Sequence, residues 1–279
     1  MIRLMTMLAI VTNVALPALA QSPALDAFVG KNLQKLSEDE AATLSKMLGK
    51  KKEDPILKFF GPSPWHVWAT TKAMPKRFLV FEGQRIFSIP GISSARIHVF
   101  DEAGKKLNEW AFSTGWRINL EGASFSYSDD LAAHLITIET SPVVLGRDVA
   151  KQYFAFDHGR LRFLRMEDAK GKILENDYAH PNHTLGIMPE AKSRADWIKL
   201  LESKKKVDVL SALTFLGGRH LDPPRENPRE HLEKIEQAKL VKELRSDQRV
   251  GKMVRQHLRS DSKWIKEAAA IAANTLRNK

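Results

Sequence analysis

Asp177, His180 and His183 are the side chains of this chain best spaced for metal chemistry. One carboxylate and two imidazoles are zinc-type ligands, here set at regular short intervals. Pro181 stands between the histidines, and proline is excluded from an ordinary helix interior, so the spacing does not put the three on one helical face. A loop could still gather them. The plainer expectation is a solvent-exposed loop joining two domains, with no metal and no cofactor. If the chain is a hydrolase of extracellular polymer, with its site between two domains, these three residues are its most testable ones.

A second pattern suits anions. Lys239, Lys242, Arg245, Arg249, Lys252, Arg255, Arg259, Lys263 and Lys266 follow one another at helical spacing without a gap. On continuous helix they form one basic stripe. The bland account is a solvated face opposite Leu240, Leu244, Val254 and Leu258. The functional account is a contact surface for an acidic polymer or a protein partner, with Lys242, Arg245, Arg249, Lys252, Arg255, Arg259 and Lys263 as binding residues. No aromatic residue stands between Lys239 and Lys263, so base stacking is not expected, and no specific nucleic-acid motif is present. The formal charge of +11 is concentrated here, because residues 190–279 hold 21 Lys+Arg against 13 Asp+Glu.

Other chemistry is thinner. Trp65-His66-Val67-Trp68 could present rings to a sugar, but large rings more often fill a core. The chain has no G-x-S-x-G, P-loop, H-E-x-x-H or G-x-G-x-x-G pattern. It has no cysteine, which excludes disulfides, thiol catalysis and cysteine-ligated metals. A mean hydropathy of −0.32 fits neither a many-span membrane protein nor a disordered chain.

Where the protein works is written at the start. Arg3 precedes a mostly apolar run from Leu4 to Leu16, and Ala18-Leu19-Ala20 follows Pro17. That is the layout of a secretory signal peptide over 1–20, cleaved between Ala20 and Gln21. The apolar run falls short of the roughly 20 residues needed to cross a bilayer, so no transmembrane span is expected after cleavage. The expected location is periplasmic or extracellular.

Three kinds of element must position these residues. Over 21–54 the Ser37-Glu38-Asp39-Glu40 capping box, then Ala41, Leu44, Met47 and Leu48, predict a short helical arm closed by Gly49. Over 55–189 the period changes to two. Arg77–Glu82, Ala95–Phe100, Leu107–Ser113, His134–Thr140, Gln152–Phe156 and Leu161–Met166 read as strands. Ile97 and Val99 alternate with Arg96 and His98, which predicts one buried and one wetter face. Short connections through Gly104, Gly159 and Gly171 demand antiparallel neighbours, in a meander or sandwich. Over 190–279 helical spacing returns.

Leu244-Arg245-Ser246-Asp247 recurs as Leu258-Arg259-Ser260-Asp261, and a longer offset of 57 residues maps Trp197 on Val254, Leu201 on Leu258, Val207 on Trp264 and Ala212 on Ala269. Breaks at Ser246 and Ser260 would spread the basic stripe over three helices. These segments resemble HEAT-type helical repeats. Gln152–Phe156, Arg165–Asp168 and Leu216-Gly217-Gly218-Arg219-His220 further resemble a class of exported bacterial proteins of the planctomycete kind, which implies no activity. The expectation is therefore an α+β chain: a short N-terminal helical arm, an antiparallel sandwich-like sheet domain, then an irregular HEAT-like helical domain. Its expected role is non-catalytic binding. A polymer hydrolase and a structural envelope or matrix component are the alternatives.

Overall fold

The structure, a computed structural model, describes residues 25–31, 33, 36–49, 63–72, 75–85, 92–113, 117–141, 150–157, 160–174, 191, 193–218 and 239–277. The segment expected to be a signal peptide, with Ala20 and Gln21, and the Asp177, His180 and His183 set lie outside the described residues.

Ser37 opens α1 (Glu38–Met47) with a complete capping box. Its hydroxyl accepts the Glu40 amide at 3.3 Å, and the Glu40 carboxylate accepts the Ser37 amide at 3.0 Å. Gly49, at φ 72°, ends the arm in a conformation that favours glycine. Leu44 and Leu48 are buried together with Leu25 and Phe28, while Ala41, expected on the apolar face, is exposed.

Among the described residues nine strands follow: β1 (Ser63–Ala69), β2 (Phe78–Arg85), β3 (Ile92–Phe100), β4 (Lys106–Ser113), β5 (Arg117–Ser128), β6 (Ala133–Ser141), β7 (Ala150–Asp157), β8 (Arg160–Glu167) and β9 (Ile173–Leu174). They form two antiparallel meanders, ordered β1-β2-β3-β4 and β5-β6-β7-β8-β9. Two turns share one device. Asp101 accepts the Lys105 amide at 2.8 Å with Gly104 at φ 77°, and Asp168 accepts the Lys172 amide at 2.9 Å with Gly171 at φ 78°. Gly159 lies outside the described residues.

The inner faces meet through Leu79, Phe81, Ile97 and Val99 on one side and Ile136, Ile138, Phe154, Phe156 and Phe163 on the other. Both outer faces are covered as well. The arm packs Leu25, Phe28, Leu44 and Leu48 on Val67, Phe78, Val80 and Phe100. His98, expected on the wetter face, is therefore only 3% exposed. The outer face of the second sheet carries the helices.

These helices are α2 (Arg194–Leu201), α3 (Lys206–Gly217), α4 (239–246), α5 (Gln248–His257) and α6 (Lys263–Arg277). Trp197, Leu210, Leu213, Val254, Ile265 and Ala269 share one buried cluster with Leu135, Ala155 and Leu164 of the sheet. A bulge opposite Tyr153 and Phe154 places Leu164 in that cluster and keeps Arg165 opposite Tyr153. The 57-residue offset carries Lys206, the first residue of α3, onto Lys263, the first of α6. The helix breaks fall beside the expected serines. Asp247 caps α5, and Ser262 accepts the Ile265 amide at the start of α6. Among the described residues no helix is long and apolar enough to cross a membrane. The chain is α+β, with its strands central and its helices mainly C-terminal.

Candidate anion-binding groove

α5 is built as a two-faced helix. Val250, Met253 and Val254 are buried, and Gln248, Arg249, Lys252, Arg255 and Gln256 are exposed. From 248 to 259 the sequence contains no Asp or Glu, so the outward face has one sign of charge. A face that serves only solubility usually mixes signs, which keeps the local field small. Here the field does not cancel along the helix.

Beside this face lies a groove of about 580 Å³ lined by Arg245, Ser246, Asp247, Gln248, Arg249, Gly251, Lys252, Arg255 and Leu276. Four of the seven expected binding residues therefore meet in one place, although they come from two helices. Their states differ. Arg245 is half-buried and donates to the Leu216 carbonyl at 2.8 Å and the Gly218 carbonyl at 2.5 Å, so it also ties α4 to the end of α3. Arg249 is ion-paired with Glu202. Lys252 and Arg255 are exposed and make no ion pair with a described residue. A Cβ placed on Gly251 would stand 3.6 Å from the Arg255 guanidinium, so that head group lies across bare helix backbone.

Asp247 is the carboxylate in the lining. Burial pushes its carboxyl up, but hydrogen bonds from Arg194 and from the Arg249 amide outweigh this and hold it below the usual value. The Arg194 Nε donates to Oδ2 at 2.7 Å, and the Arg249 amide donates to Oδ1 at 2.8 Å. Lys242 and Arg259 are exposed outside the lining, and Lys263 stands 3.8 Å from Glu267.

Three polar assemblies escaped the sequence reading. His98 Nε2 is 2.7 Å from Glu82 Oε2 beneath the arm, and its Nδ1 is 3.3 Å from Glu109. Period-two spacing hinted at the alternation but not at the arm that covers it. Arg165 stacks over Trp264 with 3.5 Å to the ring centroid and pairs with Glu167 and Glu267. Tyr153 donates to Glu167 at 2.9 Å, and burial with that carboxylate pushes its hydroxyl up to about 12. His134 accepts the Thr71 amide at 3.0 Å while stacked on Phe125 with 5.0 Å between centroids. Trp68 packs among His66, Phe81 and Phe125, so it fills core rather than offering a sugar platform. Among the described residues no group of three or more His, Asp or Glu is placed to hold a metal ion.

The groove offers guanidinium and ammonium donors, a hydroxyl and an amide. Among the described residues its lining holds no aromatic ring and no nucleophile–base pair. Such donors suit oxyanions. Comparison with protein-family models, curated proteins and solved structures finds no match for this chain.

Proposed function

We propose that this chain is an exported, non-catalytic binding protein that holds an acidic polysaccharide on the basic face of α5. The observation that carries this reading is a helix face without carboxylates from 248 to 259, beside a groove where Lys252 and Arg255 have no ion-pair partner among the described residues. Exposed, unpaired cations gain most when a polyanion replaces small counterions. The lack of rings in the lining turns the reading away from single-stranded nucleic acid and toward a ligand recognised by charge. The signal-peptide pattern over 1–20 supports a periplasmic or extracellular setting. The matching starts of α3 and α6 support a HEAT-like stack as the scaffold.

The junction of sheet and helices, where a hydrolase site would sit, is filled by Leu164, Leu210, Leu213 and Ala269. The cavity there, lined by Arg165, Leu174, Thr214 and Trp264, holds only about 30 Å³ and is mostly apolar.

Retention on immobilised dextran sulfate across a salt series tests the proposal. The wild-type protein is expected to elute progressively earlier as salt rises. Lys252→Gln with Arg255→Gln should elute earlier and flatten the salt dependence by about one counterion per lost cation. No retention at low salt, or an unchanged double variant, overturns the proposal.

A further inference from the structure

We infer that Arg194 sets the affinity of this groove without touching its ligand, by neutralising Asp247 in the groove wall; the inference rests on the polyanion reading above. Asp247 is needed where it stands, because its carboxylate caps α5. It is also the wrong charge for an anion site. Arg194, the first residue of α2, answers this from outside the lining. Its Nε donates to Asp247 Oδ2 at 2.7 Å, and a second guanidinium nitrogen bonds the same oxygen. The pair is lopsided, with Arg194 54% exposed and Asp247 only 9% exposed. Water can do little to screen that carboxylate, so the guanidinium must.

The local charges then sort themselves. Asp247 is matched by Arg194, and Glu202 by Arg249. Lys252 and Arg255 remain without an ion-pair partner among the described residues and add to the positive charge facing a ligand. Removing Arg194 takes one positive charge from that surplus although no groove-lining residue changes. Without Arg194, Asp247 would act as a charge-density filter. A densely sulfated chain tolerates one carboxylate in the wall better than a sparsely carboxylated chain does.

The experiment measures affinity for dextran sulfate and for polygalacturonate with the full chain. The variants are Arg194→Gln, Asp247→Asn, both together, and Lys252→Gln with Arg255→Gln. Asparagine caps a helix about as well as aspartate, so Asp247→Asn removes the charge and keeps α5; circular dichroism confirms that. Arg194→Gln should weaken binding about threefold, with the larger change for polygalacturonate, and Asp247→Asn should not weaken it. The double variant, which removes both charges of the matched pair, should return to wild-type affinity, and the salt slope of Arg194→Gln should equal that of wild type, because no ligand contact is lost.

A double variant no tighter than Arg194→Gln alone, or a flattened slope, would mean that Arg194 acts on the polymer rather than through Asp247, and would overturn the inference. So would unchanged affinity in Arg194→Gln. If Lys252→Gln with Arg255→Gln binds as wild type does, the groove itself is wrong and both readings fall; if that variant weakens while Arg194→Gln does not, only this one does.

Discussion

Acidification should loosen the seam between the two sheets through His134. The Thr71 amide donates to His134 Nε2 at 3.0 Å, so that nitrogen carries a lone pair and the ring is neutral with its proton on Nδ1. The ring is 2% exposed, stacked on Phe125 and edge-on to Tyr127. The charged neighbours across the seam are Lys72, which lies over Tyr127 at 4.5 Å, and Asp129, which pairs with Lys72 at 2.5 Å. Burial holds the His134 value below the ordinary one. The folded state therefore binds fewer protons than the unfolded state in mild acid. The stability this residue contributes is complete above the unfolded histidine value near ~6.5 and is lost as pH falls through the lowered folded value. In that window stability should fall by up to about 1.4 kcal/mol per pH unit from this one group. His134→Phe keeps a ring in the stack, removes the acceptor and removes the titration. It should cost about 1 kcal/mol at pH above 7 for the lost hydrogen bond and flatten the profile below it. Urea denaturation at half-unit steps of pH, on both proteins, measures the difference. Identical pH slopes for wild type and variant would refute the assignment of Nε2 as an acceptor that must stay unprotonated.

Two glycines one helix pair apart should respond oppositely. A Cβ on Gly217 would stand 2.9 Å from Ile271 Cγ2 and 3.3 Å from the Ala272 backbone nitrogen, so Gly217→Ala should cost about 1–3 kcal/mol in thermal denaturation. Gly251→Ala meets only the exposed Arg255 head at 3.6 Å and should stabilise by up to about 1 kcal/mol. Phe215 is 1% exposed and stacked on Trp197 with centroids 3.9 Å apart, so Phe215→Ala should cost about 3–5 kcal/mol in urea. Ser262 caps α6 and also donates to Asp130 at 2.9 Å, so Ser262→Ala should lower the midpoint by about 1–2 kcal/mol worth of stability.

Six of the nine strands were legible because their apolar residues alternate and their turns hold Asp and Gly at fixed places. β1 was read instead as an aromatic cluster, since prolines open it. β5 was missed because Gly122 and its serines dilute the pattern. Of the groove, the spacing of Arg249, Lys252 and Arg255 was legible, being helical periodicity. The gathering with Arg245 was not, because that depends on how α4 meets α5. Arg194 was invisible as a partner of Asp247, since 53 residues separate them.

The sequence by itself determined the α+β order of elements, the capping box of α1, the basic stripe and its division among helices. Each of these rests on interactions within a few residues, where periodicity, capping and turn chemistry act. Only the tertiary structure decided that both sheet faces are covered, that His98 and His134 are buried, and that Asp247 is neutralised from α2. These depend on which apolar face seeks which other to leave water, and on where that packing carries side chains far apart in the chain.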